Sequence, residues 1–280
     1  MSASTKSWRG SLAVLPAVVL VVLVVGGGLG TVVLQSLGLM PLVGTPGLSV
    51  DAYSALGGDL WRSVVLTLSI AIVSHGSGRG DRVIRSFGGL VGWKRRTRRC
   101  REVTVTVPHL IGAAAMALLL ADSGMLPRIL GMTDGGWPEL VGGKWWIAVV
   151  AEYAWKESAF VAVVVAGTLA TRVAAFDETA ATLGAGRWVR LRLVTLPLAR
   201  PALIASSAIA FAYTVGSYEV ARILGRPYPE PLSVMAIRLF TSIDLQTRPQ
   251  AAAAATIATA LTVVVAAVAL HYLRRSAAWK

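Results

Sequence analysis

The chain has very little cysteine and lacks the common nucleotide and metal motifs. Cys100 is the only cysteine among 280 residues, so neither an internal disulfide nor a thiolate metal site can form. The three histidines lack metal-ligand spacing: His75, His109 and His271. The Gly-Lys pair at residues 143–144 is followed by Trp, where a phosphate-binding loop needs Ser or Thr. With no nucleophile-base arrangement either, the sequence predicts no enzyme, no ATP site and no cofactor in this chain.

Apolar residues make up 55% of the chain, the mean hydropathy is +0.66, and the apolar residues occur in runs. A helix needs about 20 mostly apolar residues to cross roughly 30 Å of hydrocarbon. Five runs reach or approach that length: 12–37, 103–121, 145–170, 198–215 and 251–273. One further run, Leu60 to Val73, is the second in chain order and has only 14 residues. The sequence therefore predicts an all-α polytopic membrane protein with about six transmembrane helices in one domain, 1–280.

The net charge of +13 is distributed unevenly between the loops. Nine cations lie at residues 79–101 and five at 172–200, whereas residues 38–59 contain two aspartates and no Lys or Arg. Because cytoplasmic loops carry the excess of Lys and Arg, this alternation predicts that both termini are cytoplasmic. The cations lie beside the spans, which favours contact with membrane lipid and argues against a nucleic-acid partner.

Residues 74–101 form an irregular stretch that is rich in Gly and Arg. The second apolar run ends at Val73, too early to cross the membrane. Two explanations stay open. The short helix could continue as a re-entrant or interfacial segment at residues 83–93, or a reading-frame disturbance could have replaced an apolar stretch by Gly and Arg codons.

The most specific motif lies in a basic loop between two apolar runs, at about residues 172–200. It reads Glu, one residue, Ala, three residues, Gly, nine residues, an aliphatic residue, one residue, Leu-Pro. Its members, with the adjacent Ala181, are Glu178, Ala180, Gly184, Val194, Leu196 and Pro197. The motif resembles the cytoplasmic coupling loop of permease subunits of binding-protein-dependent ABC importers, where Ala is usual in place of Thr179. The resemblance implies a type I ABC importer permease fold and assigns these residues to ATPase coupling.

The composition of this loop predicts a short helix at residues 175–186. Glu178 would lie in its first turn, where the helix dipole favours acidic side chains. Ala180, Ala181 and Leu183 would form a small apolar face, and Gly184 and Gly186 would let the chain turn closely afterwards. Pro197 suits the start of the following span.

The same resemblance implies partners for this chain. They are two ABC ATPase subunits that bind ATP and Mg²⁺, a second permease subunit and an extracytoplasmic substrate-binding protein. It also implies a location in the inner membrane of a prokaryote, where the chain would form part of the translocation path for a small solute.

The fourth apolar run contains Glu152, Lys156 and Glu157. Ionisable residues inside a span are costly, so they usually pair or face a watery cavity. Glu152 and Lys156 are four residues apart in the favourable order, which predicts an ion pair. Two interpretations stay open: a polar lining of the translocation path, or a structural ion pair between helices.

Residues 216–232 contain three prolines, at 227, 229 and 231, which exclude a regular helix there. We expect an outer loop that leads into a short helix from Leu232 to Phe240. This segment and the Trp-Lys-Glu string at 155–157 resemble the spermidine/putrescine-type branch of these permeases. The resemblance makes Tyr218 and Glu219 candidates for the translocation path.

The branch resemblance favours a polyamine-like or another small charged cargo. A sugar importer permease is an alternative, because sugar permeases carry the same coupling loop. An alternative of another class is a non-transporting membrane scaffold or damaged permease, suggested by the short second run.

The charge distribution predicts that the Gly/Arg-rich stretch is cytoplasmic. In a Cys100→Ser background, a Ser77→Cys variant should resist an impermeant thiol reagent in intact cells and react after permeabilisation. A Ser54→Cys variant, in the predicted outer loop, should react in both conditions. Labelling of Ser77→Cys in intact cells would show that the predicted topology is wrong.

Overall fold

The structure is a computed structural model that describes residues 14–79, 103–132, 135–169 and 172–275. The described residues form helices joined by turns and loops and contain no strand. In chain order the helices are α1 (Val14–Ser36), α2 (Asp51–Arg79), α3 (His109–Leu120), α4 (Met125–Ile129), α5 (Ile147–Leu169), α6 (Arg172–Thr182), α7 (Arg187–Gly216), α8 (Glu219–Leu224), α9 (Leu232–Phe240) and α10 (Arg248–Arg275). The predicted all-α class is confirmed.

Five described segments are long and apolar enough to cross a membrane. They are Val14–Ser36, Asp51–Gly76, His109–Ile129, Arg187–Gly216 and Leu245–Arg275. Helix α5 has a comparable length of 23 residues and differs by its three ionisable side chains. The predicted count of six is reached when α5 is included with these five.

The second span is longer than the sequence predicted. Helix α2 continues beyond residues 60–73 at both ends, with one non-helical residue at Gly57, where φ is 50°. From Gly58 to Gly76 it measures about 28 Å at 1.5 Å per residue, close to the hydrocarbon thickness. The predicted early end at Val73 was wrong, because small polar residues do not end a helix whose backbone hydrogen bonds are internal. Residues 80–101, where both explanations of the irregular stretch fall, lie outside the described residues.

The chain divides into two compact units. The first comprises described residues up to Leu60 together with Met235–Ile257. Within it, the Tyr53 hydroxyl donates to Ser36 Oγ at 2.9 Å. The second unit contains the remaining described residues and all candidate site residues. That residues 1–280 form one membrane domain stays a prediction.

The core of the second unit lies where α3, α5 and α8 meet. Its buried side chains include Ala113, Val149, Tyr153, Val220 and Leu224. A smaller apolar cluster, built around Val165 and Ala199, joins α5 to α7. Helix α5 therefore takes part in both clusters, and its ionisable residues lie within the protein interior.

Helix α7 begins well before the predicted span at 198–215, and Pro197 lies inside it. The α-helical part of α7 begins at Leu196 with Pro197 in its first turn, as predicted, although helical residues precede it. A π-helical turn, Leu191–Thr195, lies directly before Leu196. Proline has no amide hydrogen and its ring crowds the carbonyl four residues earlier, which belongs to Leu193. The wider turn relieves this crowding, so the helix continues through the proline.

The ring of Trp146 packs closely against Gly225. A Cβ at position 225 would overlap that ring and the Ala221 carbonyl. We therefore expect Gly225→Ala to destabilise the protein by about 1–3 kcal/mol through overpacking, measured as a lower Tm of the purified subunit. Gly216→Ala is the matched control, since a Cβ there would meet nothing within 4 Å. Equal Tm values for both variants would contradict this packing.

Candidate functional site

Helix α6 contains the first part of the coupling-loop motif, namely Glu178, Ala180 and Ala181. It runs from Arg172 to Thr182 and so begins earlier than the predicted 175–186. Glu178 consequently lies in the second turn, and no acidic residue occupies the first. The predicted position of Glu178 in the first turn was wrong. Glu178 and Ala181 are exposed and Ala180 is half-buried.

Gly184 ends this helix through backbone geometry. The Ala185 amide donates to the Ala180 carbonyl, and the Gly184 amide donates to the Ala181 carbonyl, both at 3.0 Å. These two bonds form a Schellman motif around a left-handed residue, and Gly184 has a φ of 81°. A Cβ would meet nothing within 4 Å, so conformation and not space requires glycine. The predicted turn at Gly184 is confirmed.

A largely buried ion pair joins α6 to the start of α7. Arg190 Nη1 donates to Asp177 Oδ2 at 2.9 Å. Hydrogen bonds between charged partners are about twice as strong as neutral ones. The sequence analysis missed this pair, because the residues come together only after the chain turns at Gly184. The pair holds the loop in one orientation relative to the span that follows.

Large apolar side chains are exposed beside this ion pair. They belong to Phe176, Leu183 and Trp188, and the Leu183 side chain is 82% exposed. We call these three residues the apolar loop surface. Large exposed apolar side chains on a loop are candidates for an interaction site. Of these three residues only Leu183 was predicted to belong to an apolar face, although the aromatic residues of the loop were a visible signal in the sequence.

The other three members of the motif belong to a helix and not to the loop. Val194 is half-buried, and Leu196 and Pro197 are exposed. Val194 lies within the π-helical turn of α7 and the other two directly follow it. Together these residues form the widened part of the helix.

The ionisable residues of α5 meet a histidine at the start of α3. His109 Nδ1 lies 3.4 Å from Glu152 Oε1, and His109 Nε2 lies 3.8 Å from Glu157 Oε1. The imidazole ring also lies against Tyr213 of α7, with 4.4 Å between ring centroids. A neutral imidazole has one N–H, so only a protonated ring can donate towards both carboxylates.

Lys156 bonds to backbone carbonyls and not to Glu152. Its Nζ donates to the Thr104 carbonyl at 2.8 Å and also to the Val107 carbonyl. The predicted Glu152–Lys156 pair was wrong, because α3 and the turn before it provide partners for both residues. Spacing along α5 alone could not reveal these partners.

His109, Glu152, Lys156 and Glu157 together form what we call the charged quartet. Glu152 is fully buried and Lys156 is 4% exposed. A Cβ on Gly112 would lie 3.0 Å from Glu152 Oε1, so this glycine makes room for the carboxylate. The sequence analysis missed His109 because it tested histidines only for metal-ligand spacing.

The two residues proposed for the outer part of the path occupy different environments. Tyr218 is half-buried and packs against the core of the second unit, whereas Glu219 is exposed in the first turn of α8. The sequence analysis expected a loop here and missed α8. The predicted helix from Leu232 to Phe240 is confirmed, and residues 225–231, with the three prolines, are not helical.

The described helices and the capped loop helix define a polytopic α-helical protein with membrane-spanning segments and exposed apolar side chains in the loop between two of them. Residues 87–278 match the family described as "Binding-protein-dependent transport system inner membrane component". Because this match covers more than half of the chain, the chain belongs to that family.

Two curated relatives show the range of this family. The molybdenum transport system permease protein ModB of Azotobacter vinelandii is 36% identical over 74 residues, 26% of this chain and 33% of ModB. The 2-aminoethylphosphonate transport system permease protein PhnV of Salmonella choleraesuis is 28% identical over 142 residues, 51% of each chain. The chain thus spans about a third to a half of the length of these relatives.

A solved structure resembles nearly the whole chain. It is a bacterial ABC transporter involved in the import of the acidic polysaccharide alginate, with a TM-score of 0.75 and 18% identity. The match covers 97% of both chains. The predicted fold class, that of a type I ABC importer permease, is confirmed.

Proposed function

We propose that this chain is the membrane-spanning permease subunit of an ABC importer. The family match over residues 87–278 carries the proposal. The partners would be two ABC ATPase subunits that bind ATP and Mg²⁺, a second permease subunit and an extracytoplasmic binding protein. A related solved structure is an alginate ABC transporter in complex with an alginate pentasaccharide-bound periplasmic protein. The chain would lie in the inner membrane of a prokaryote, with both termini cytoplasmic.

Helix α6 would be the element that contacts the ATPase. The apolar loop surface offers large side chains for docking, and Glu178 is exposed on the same helix. Motion of α6 would pass to α7 through the Asp177–Arg190 pair, since that contact joins the two helices directly. In the resulting cycle ATP binding favours one orientation of the path and hydrolysis favours the other, each by stabilising one state more than the other.

The burial of the residues in the charged quartet suggests two different roles, a structural role for some and a place on the translocation path for others. Glu152 and Lys156 are buried and engaged with α3 and the turn before it, so we assign them to holding the helices together. His109 keeps 21% of its side chain exposed and forms the accessible edge of the quartet, against which the buried Glu157 lies. We assign that edge, with the exposed Glu219, to the translocation path.

The cargo that we propose is a small charged solute. The relatives ModB and PhnV are named for transport of molybdenum and 2-aminoethylphosphonate, which extends the candidates beyond polyamines. A polyamine-like cargo rests only on the resemblance at residues 155–157 and 216–232, and a sugar stays an alternative. The non-transporting scaffold was suggested by a short second span, and α2 has the length to cross.

Transport activity can be tested in the assembled complex. The chain would be reconstituted with its ATPase, partner permease and binding protein, and ATP hydrolysis measured with polyamines, oxyanions, phosphonates and sugars. Severalfold stimulation by one charged solute is the expected result, because loaded binding protein should favour the state that hydrolyses ATP. Stimulation by sugars alone would overturn the proposed cargo. An assembled complex that responds to no solute would overturn the importer proposal.

The coupling role of α6 can be tested at its C-terminal cap. Gly184→Val should abolish uptake while the subunit stays inserted, because a β-branched residue strongly disfavours the left-handed conformation. Gly186→Val is the matched control, since Gly186 has a φ of −64° and a Cβ there would meet nothing within 4 Å. Glu178→Lys should abolish uptake by reversing the charge on the docking helix. Normal uptake by well-expressed Gly184→Val would remove the coupling assignment.

A further inference from the structure

A helix break inside the third apolar run leaves backbone carbonyls that need donors. Residues 103–106 form a helical turn, residues 107–108 are not helical, and α3 begins at His109. Pro108 has an extended backbone, with φ −58° and ψ 145°. In a continuous helix its amide would donate to the carbonyl of Thr104, and proline has no amide hydrogen to donate. Thr104 and Val107 are half-buried just before the span His109–Ile129, and a buried carbonyl without a donor costs about 1–3 kcal/mol, so such a break favours a replacement donor.

Lys156 provides donors at this break. Its ammonium group donates to the Thr104 carbonyl, which a continuous helix would have bonded to residue 108, and to the carbonyl of Val107 within the break. An ammonium group has three N–H donors, and carbonyls at the C-terminal end of a helical turn carry partial negative charge. Lys156 is only 4% exposed, so little water competes for these bonds.

We propose that Lys156 is a positioning residue that replaces the amide hydrogen missing at Pro108. By binding the turn before the break and a carbonyl within the break, it holds the residues that lead into α3 against α5. His109 follows Pro108 directly, so this contact places the imidazole between Glu152 and Glu157. The break just before the third span and the lysine of α5 are therefore parts of one device. This inference concerns helix contacts alone and does not rest on the transported solute.

A charge-only role for Lys156 makes a different prediction. If the lysine served only to neutralise Glu152 and Glu157, its removal would be equally harmful whatever residue occupied position 108. If it caps the break, an alanine at position 108 would bring an amide that donates to Thr104 and would make the lysine partly dispensable. A double-mutant cycle separates these cases, because the charge cost is the same in both backgrounds.

The test measures the Tm and membrane accumulation of the full chain for Lys156→Met, Pro108→Ala and the double variant. Lys156→Met should lower both quantities. In the Pro108→Ala background that loss should shrink to about half, since one of the two carbonyls regains an amide donor. If Lys156→Met alone does not accumulate, recovery of the double variant is the supporting result. Equal losses in both backgrounds, or no loss from Lys156→Met, would overturn the proposal.

Two further variants separate donors from charge. Lys156→Gln keeps N–H donors without the charge, so it should retain more stability than Lys156→Met. Equal damage from the two would indicate charge compensation alone and would contradict the capping role. Lys144→Met is the matched control, because Lys144 is exposed outside the spans, and it should leave Tm unchanged in both backgrounds. These readouts do not require transport, so a failed importer assay would leave the inference standing.

Discussion

Buried backbone groups need hydrogen-bond partners, and this constraint governs how the chain interrupts its helices. Pro108, which directly precedes the third span, and Pro197, which lies within α7, have different solutions. At Pro108 the helix breaks, and Lys156 from α5 donates to the carbonyls beside the break. At Pro197 the helix continues, because the π-helical turn before it makes room for the ring. One solution comes from a neighbouring helix and the other from the same helix, so they differ in how much tertiary structure they require.

The loop between α5 and α7 combines a fixed backbone with an exposed surface. Gly184 ends α6 through a Schellman motif, and the Asp177–Arg190 pair ties the helix to the next span. A docking surface transmits force only if its attachment is stiff. The apolar loop surface is therefore placed on an element that has one defined orientation, as the proposed coupling to an ATPase requires.

The charged quartet shows why ionisable residues inside a span resist interpretation from one sequence. The spacing of Glu152 and Lys156 along α5 indicated a pair, yet each residue turns to a different partner near α3. The isolated His109 showed no pattern at all in the sequence. His109 directly follows Pro108 at the start of α3, and this position brings its ring to the charged residues of α5. The spacing of residues along one helix does not reveal partners that lie on another helix.

The sequence by itself determined the all-α class, most of the spans, the turn at Gly184 and the helix from Leu232 to Phe240. These features depend on hydrophobic run length and on the conformational range of single residues, which are local properties. The tertiary structure decided the partners of Asp177, His109 and Lys156. Those contacts join residues from 13 to 52 positions apart, and packing between helices selects them. It also decided that α2 continues past its polar residues, because helical backbone bonds do not depend on side-chain polarity.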